Sequence, residues 1–408
     1  MKKILLFGAA AFMACTMNAQ TLNGNLKLDW EISMADHTTT ETRSIGAIGD
    51  KAILNNSTTG KVEIWDATGK VKEYDVNGWL KENGYVSGKD DKDNDVYEII
   101  GRGVSVDEVG NIVINLNFPL LGSSRQFLII APDGKMTKVD CEIPSGVVMP
   151  DGGGRCDFLG DKMAGNMLKD GYVVTCPNNS QYAMAFNIVE GKYEADFSYG
   201  IHIGDKDNTE TWGNAESTCI FLESYNPEDG GDLPKFIARS RSIGGFRISN
   251  KVGESEYQLD KMTYEGEGMI NWGKATNTNF TAFNVAGKYY AVANQPDNDT
   301  RTHSWEVFDL QNAATLARWT MPVGEAVNYM GGFASSVNED GTVNIFQFNP
   351  GIRLAKYTFT VPTGNVNEIE ADENAPVEYY NLQGVKVANP EGGIFIKKQG
   401  AKAEKVLK

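Results

Sequence analysis

Aspartates alternate along the loop of residues 89–95, at Asp91, Asp93 and Asp95. Calcium-binding loops use that alternation to aim carboxylate oxygens at one centre. Two positions depart from such a loop, because Val96 stands where the sharp turn needs glycine and Arg102 where a closing glutamate belongs. Two interpretations therefore stay open, a calcium site or a solvated acidic loop, and no other cofactor is expected.

The three histidines of the chain, His37, His202 and His303, do not form a recognisable catalytic pattern. Neither an HExxH motif nor a histidine pair at metal-ligand spacing occurs, and a Ser-His-Asp order cannot be argued. No glycine-rich phosphate loop follows a strand and opens a helix, so a nucleotide cofactor is not expected. His303 remains a candidate only as a ligand-binding side chain.

Two tryptophans share a local pattern that could bind a ligand. Trp212 and Trp272 each open a W-G-x-A sequence that ends in threonine. Indole and phenol faces can stack on sugar rings, with carboxylates and amides nearby for hydroxyl groups. The equivalent places elsewhere hold Arg102, Arg155 and Tyr329. Packing between repeated units would produce the same pattern, so a structural and a functional interpretation both stand.

The candidate residues lie between predicted strands, and residues 101–140 show the strand pattern most clearly. Val104 and Val106 alternate with polar residues, as in a half-buried strand. A β-branched run from Ile112 predicts a buried second strand, residues 126–131 a third and residues 136–139 an outer fourth. Asp133-Gly134 is typical of a hairpin turn, since glycine adopts positive φ.

The four-strand unit recurs along most of the chain. Six second strands begin at intervals of 53 to 63 residues, near Lys51, Asn111, Tyr172, Lys235, Lys288 and Thr342. Repeats of four strands at about this spacing are typical of β-propeller blades. The last unit lacks a fourth strand, while residues 26–33 form a strand without a unit. We therefore predict an all-β, six-bladed β-propeller in which the N-terminal strand closes the last blade. Two stacked β-sandwiches are the alternative.

The connections between blades define the expected binding face. They must cross the same face of the disc as the loops between second and third strands, and loops on a rigid scaffold often carry function. This places the candidate residues on one face, with the two tryptophans at its inner mouth: Arg102, Arg155, Trp212, Trp272, His303 and Tyr329.

The first 19 residues have the form of a secretory signal. Lys2 and Lys3 precede an apolar run, and Ala19 precedes the expected cleavage point. Lipidation of Cys15 is the alternative. The formal net charge of −16 argues against nucleic acid and anionic membranes as partners. No later stretch is long and apolar enough to span a membrane, and we expect an exported monomer found in the periplasm, at the cell surface or outside the cell.

The C-terminal residues carry the most specific pattern in the chain: YNLQG at residues 380–384, PEGGIFI at residues 390–396 and a closing KVLK. This tail resembles a shortened C-terminal sorting domain of the type IX (Por) secretion system of the Bacteroidetes. The resemblance implies a small β unit that directs export. It divides the chain into a signal peptide (1–19), a propeller (20–362), a linker (363–375) and a sorting-domain-like β tail (376–408).

Two function classes follow. The first is a binding or interaction protein, with a glycan or a protein as ligand. The second is a carbohydrate-active hydrolase or lyase, which needs two carboxylates, or a base and a cation, in one pocket. Carboxylates facing each other across a deep central pocket would favour the enzyme, and a shallow aromatic mouth would favour binding.

Overall fold

The structure is a computed structural model. It describes residues 25–36, 45–56, 58–86, 88–89, 91–97, 103–116, 124–142, 163–175, 181–205, 207–210, 217–228, 232–240, 246–254, 256–262, 280–296, 303–312, 314–320, 332–362, 377–380, 386–387, 394–399 and 402–407. The chain divides into two compact units, Met1–Thr360 and Val361–Lys408.

The first unit is a six-bladed β-propeller, as the sequence predicts. Each blade is a four-stranded antiparallel sheet, with its first strand innermost. Blade 1 contains β2 (Ile45–Ile48), β3 (Lys51–Asn56), β4 (Lys61–Asp66) and β5 (Gly69–Asp75). Blade 2 contains β8 (Val104–Val106), β9 (Ile112–Asn115), β10 (Ser124–Ile130) and β11 (Met136–Glu142). Blade 3 contains β12 (Met163–Gly165), β13 (Gly171–Thr175), β14 (Tyr182–Val189) and β15 (Lys192–Ile203).

The remaining blades repeat the order. Blade 4 contains β16 (Ser217–Phe221), β17 (Phe236–Ser240), β18 (Arg247–Lys251) and β19 (Tyr257–Lys261). Blade 5 contains β20 (Phe280–Val285), β21 (Lys288–Pro296), β22 (His303–Asp309) and β23 (Ala314–Thr320). Blade 6 contains β24 (Gly332–Val337), β25 (Thr342–Asn349), β26 (Arg353–Thr360) and the N-terminal β1 (Leu26–Ser33).

The N-terminal strand closes the ring, as predicted. It pairs antiparallel with β26, from Leu26 opposite Phe359 to Ser33 opposite Arg353. Asp29 of β1 accepts hydrogen bonds from Lys356 Nζ at 2.7 Å and Thr358 Oγ1 at 2.6 Å. The first and last strands of the propeller unit are therefore joined in one sheet.

The core lies between neighbouring blades, because successive side chains of a strand point to opposite faces of its sheet. In β16, for example, Cys219 packs against blade 3 and Ile220 against blade 5. The boundary of blades 5 and 6 is aromatic, with Phe283, Tyr290 and Phe359 in mutual contact. The apolar side chains of each blade are thus buried against its two neighbours and not within the blade's own sheet.

Two features were not predicted. A short helix, α1 (Val76–Glu82), connects blades 1 and 2, with Asp75 capping its N-terminus by accepting a hydrogen bond from Gly78 N at 2.9 Å. The long strand β15 also pairs in parallel with β11 and with β19, which links the outer edges of blades 2, 3 and 4. Among the described residues no helix has the length and apolar character needed to cross a membrane.

Between blades 1 and 2 a two-stranded ribbon, β6 (Gly88–Lys89) and β7 (Asp95–Val96), carries the acidic loop. The second unit contains a three-stranded antiparallel sheet of β27 (Val377–Tyr380), β28 (Ile394–Gln399) and β29 (Lys402–Leu407). A small C-terminal β unit is therefore present, as expected.

Candidate functional site

A cavity of about 560 Å³ lies at the centre of the propeller. The innermost strands of blades 1, 2, 4, 5 and 6 line it, namely β2, β8, β16, β20 and β24. Each of these strands pairs with another strand on its outer side only, within the described residues. Backbone N–H and C=O groups of their inner edges are therefore directed toward the cavity, where they can bind a ligand or water.

Three carboxylates lie together at one end of this cavity. Asp107 and Glu108 directly follow β8, and Glu223 follows β16 by one residue. The described lining residues include no lysine, arginine or histidine. This end of the cavity is therefore negatively charged and opposes the entry of anions.

Asp107 is buried, and it stabilises the fold locally. Its Oδ1 accepts hydrogen bonds from the backbone N–H groups of Val109 and Asn111. Its Oδ2 accepts from Met167 N in blade 3 at 2.8 Å and from Asn111 Nδ2 at 2.7 Å. The hydrogen bond from Met167 connects blade 2 to blade 3. Because its two oxygens already accept four hydrogen bonds, this carboxylate has little capacity left for a ligand.

Glu108 reaches across the cavity end to blade 4. Its Oε1 accepts a hydrogen bond from Tyr225 N at 2.9 Å, and its own N–H donates to Gly165 O in blade 3 at 3.2 Å. The residue keeps contact with water, but the protein around its carboxylate desolvates it and raises its pKa, against the opposing effect of hydrogen bonds from the backbone of Tyr225 and Gly165. Glu108 thus holds its proton to higher pH than an ordinary glutamate.

Glu223 is half-buried and bridges blades 4 and 5. Its Oε1 accepts the hydroxyl proton of Tyr289, and its Oε2 accepts from Lys235 N at 3.2 Å. Burial, and then the hydrogen bond to Glu223, raise the pKa of Tyr289 to about 12. The phenol therefore remains a donor throughout the physiological range, and each oxygen of Glu223 keeps a lone pair for a further donor.

Hydroxyl groups continue the polar lining toward blades 5, 6 and 1. Thr281 Oγ1 and Ser335 Oγ lie 2.8 Å apart across the boundary of blades 5 and 6. Ser336 Oγ donates to Gly49 O, which connects blade 6 to blade 1. The cavity lining therefore includes carboxylate acceptors at one end and hydroxyl groups on the strands of blades 5 and 6, a combination suited to a ligand that carries several hydroxyl groups.

Most of the ligand-binding residues proposed from the sequence lie outside the described residues: Arg102, Arg155, Trp212, Trp272 and Tyr329. The backbone of His303 begins β22 opposite Pro296, and its side chain is outside the description. The predicted inter-blade face with its two tryptophans therefore stays a prediction.

The acidic loop lies at the surface, with its aspartate side chains in contact with solvent. Asp91, Asp93 and Asp95 are all exposed, and Asp95 pairs with Lys89 Nζ at 2.7 Å. In the described ranges no group of three His, Cys, Asp or Glu side chains could hold a metal ion. The calcium interpretation therefore stays a prediction, and in this structure a lysine ammonium is paired with one of the three carboxylates.

Sequence reasoning missed Glu108 and Glu223. Neither glutamate belongs to a motif that indicates binding or catalysis. The available signal is their shared position, as the second residue after the innermost strand of a unit, in VSVDE and IFLES. This shared position can be recognised only when the end of each innermost strand is known. Sequence patterns determine strand ends poorly, so the position could not be recognised in advance.

No protein-family model matches the chain, and no curated protein does. Solved structures with a similar course of the chain include AofleA from Arthrobotrys oligospora, with 9% identity over 94% of this chain and 92% of that chain and a TM-score of 0.47. A protein of unknown function from Dyadobacter fermentans has 9% identity over 83% and 100% of the two chains and a TM-score of 0.43. Hydrazine synthase from Kuenenia stuttgartiensis has 11% identity over 77% and 78% and a TM-score of 0.36. We infer no function from likeness at this level.

Proposed function

We propose that the protein is an exported binding protein whose central cavity takes a small, hydroxyl-rich ligand, such as one sugar unit of a glycan. The observation that carries this proposal is the polar lining of the cavity, with Glu108 and Glu223 at one end and the hydroxyl groups of blades 5 and 6 elsewhere in its wall. A volume of about 560 Å³ suits a small molecule. Carboxylate oxygens accept hydrogen bonds from sugar hydroxyls, and the negative charge disfavours phosphorylated or acidic ligands.

Export is the second part of the proposal. It rests on the signal-like N-terminus and on the tail that resembles a type IX sorting domain. The negative net charge of the chain is compatible with a protein that avoids nucleic acid and anionic membranes.

A glycan array with the mature chain, followed by calorimetry on the sugars that bind, tests the binding function. Glu108→Gln and Glu223→Gln should each weaken binding by about ten- to a hundredfold, since a hydrogen bond to a charged group contributes roughly 1.5–3 kcal/mol. Glu228→Gln is the matched control, because Glu228 is exposed on the same segment as Glu223 and does not line the cavity. Affinities that neither cavity substitution changes would refute the central site.

One observation favours a hydrolase as the second candidate function. The raised pKa of Glu108 suits a general acid, and Glu223 is a second carboxylate at the same cavity end. In that case a glycan that binds should also be cleaved, and Glu108→Gln should abolish cleavage while the glycan still binds. Release of new reducing ends distinguishes the two functions, and its absence for every bound glycan excludes the hydrolase.

A further inference from the structure

Five buried polar atoms lack a hydrogen-bond partner at the boundary of blades 5 and 6. They are the indole Nε1 atoms of Trp305 and Trp319, Oε1 of Gln347 and both amide atoms of Asn349, as far as the described chain shows. All four side chains are at most 4% exposed. Such atoms are rare in native proteins, because each one costs about 1–3 kcal/mol of desolvation.

The strand register brings these side chains together. Trp305 of β22 lies opposite Trp319 of β23, and their ring centroids are 6.5 Å apart. On the other side, Gln347 of β25 lies opposite Phe333 of β24, whose ring is 5.6 Å from that of Trp305. Tyr357 of β26 completes the cluster, with its ring 4.9 Å from both indoles.

The outer end of this cluster is polar. Asn349 lies opposite Arg353, and Arg353 Nη1 is 3.6 Å from Glu31 Oε2 of the closing strand. The Glu31 side chain is 39% exposed, whereas Arg353 is almost fully buried. The ion pair therefore connects the interior of the boundary to solvent.

The unpartnered atoms define the chemistry that would satisfy them. Two indoles and one amide nitrogen donate, and two amide oxygens accept, with no net charge among them. An anion would leave the amide oxygens unsatisfied, and a cation would leave the indoles unsatisfied. A hydroxyl group both donates and accepts, and the apolar faces of a sugar ring can pack on aromatic rings.

We propose that the boundary of blades 5 and 6 is a second ligand site, which takes a neutral, hydroxyl-rich ring of monosaccharide size. It is separate from the central cavity and does not depend on it. The side chains are closed over one another, so entry requires that Trp319 or the Arg353–Glu31 pair move. Binding therefore includes a conformational step that reduces the apparent affinity.

The test uses the full mature chain and a panel of free sugars: D-glucose, D-galactose, D-mannose, L-fucose and N-acetyl-D-glucosamine. Intrinsic tryptophan fluorescence and calorimetry report binding, with two of the reporting indoles in the site itself. Trp319→Phe, which keeps the aromatic ring but removes the N–H, and Gln347→Leu should each weaken binding of the responding sugar by about tenfold. Trp79→Phe is the control, because Trp79 lies on helix α1 and stacks on Tyr85.

A thermal denaturation experiment separates ligand binding from a structural role. Replacing an unpartnered buried polar group by an apolar one of similar size should be neutral or stabilising. Gln347→Leu should therefore keep or raise the Tm of the ligand-free protein while it loses sugar affinity. A lower Tm with unchanged affinity would overturn the proposal.

Two further outcomes also overturn it. One is the absence of a saturable signal up to about 10 mM of every sugar, in a protein whose crystal structure shows only ordered water on these atoms. The other is a sugar response that Glu108→Gln or Glu223→Gln removes and Gln347→Leu does not, since that would assign the response to the central cavity. Should Trp319→Phe fail to fold, Gln347→Leu and Asn349→Leu still decide the question.

Discussion

Ring closure by the N-terminal strand predicts a measurable role for Asp29. Burial alone would raise the pKa of this carboxyl, but hydrogen bonds from Lys356 and Thr358, with the charges of Lys356 and Lys27, lower it below its ordinary value. Asp29→Ala removes both hydrogen bonds that the Asp29 side chain accepts from β26 and leaves the backbone pairing of the two strands in place. Asp29→Asn keeps an acceptor for Thr358 and removes only the charge.

The structure sets the size of the effect. The side chains of Asp29 and Lys356 are 19% and 11% exposed, so their pairing is partly protected from solvent screening. Two charge-assisted hydrogen bonds in this setting contribute about 2 kcal/mol to the free energy of unfolding. For a unit of this size the entropy of unfolding is about 0.7 kcal/mol per degree. We therefore expect Asp29→Ala to lower the Tm by about 3 °C and Asp29→Asn to lower it by less.

The pH dependence provides the sharper test. Because the pKa of Asp29 is lower in the folded state, its stabilisation is present above the unfolded value of 3.8 and disappears as pH falls through the folded value. Urea unfolding should therefore show wild type more stable than Asp29→Asn at neutral pH, and the difference should vanish in acid. Asp36→Asn, at an exposed position beyond the end of β1, is the control. A difference that is the same in acid and at neutral pH would refute the assignment of this stabilisation to the Asp29 charge.

Three other predictions follow from single features. Gly165 has φ +91°, and a Cβ at this position would lie 2.4 Å from Asp170 O. Gly165→Ala should therefore lower the free energy of unfolding, measured by chemical denaturation, by about 3 kcal/mol. Gly49 has φ +55° with open space around it, so the control Gly49→Ala should lower it by only about 1 kcal/mol. Glu306 is fully buried beside Arg318, and burial raises the pKa of its carboxyl despite that arginine. The wild type should therefore lose stability relative to Glu306→Gln as pH rises above about 4.5. A stability difference that does not change with pH would contradict the burial argument. Mass spectrometry of the exported protein should show an N-terminus at Gln20, and a lipid on Cys15 would exclude this cleavage.

The fold was predictable because strand periodicity repeats. Six units at similar spacing, each with β-branched or aromatic runs, indicate six blades before any contact is known. The surplus strand Leu26–Ser33 and the missing fourth strand of the last unit indicated the closure. Helix α1 was missed because it is short and its apolar residues Val76 and Leu80 give little periodic signal.

The candidate sites were less predictable, since they depend on which residues meet across blades. Glu108 accepts a hydrogen bond from the backbone of Tyr225, 117 positions along the chain, and no local pattern connects the two residues. The tryptophans are a second example of residues whose environment depends on contacts between strands. The sequence pointed to Trp212 and Trp272 for their repeated motif, whereas Trp305 and Trp319 resemble ordinary strand residues until the strand register makes their unpartnered indoles visible.

The closing strand also has a consequence for how the molecule is made. Thr360 N donates to Asn25 O, so the start of the first strand and the end of β26 meet only when the intervening propeller is complete. The ribosome synthesises the N-terminal end first, so β1 is made before nearly the whole unit that separates it from its partner β26. Contacts this distant in sequence form slowly, because the loop entropy is lost before the contact is gained. Ring closure should therefore be the last step in the folding of the propeller.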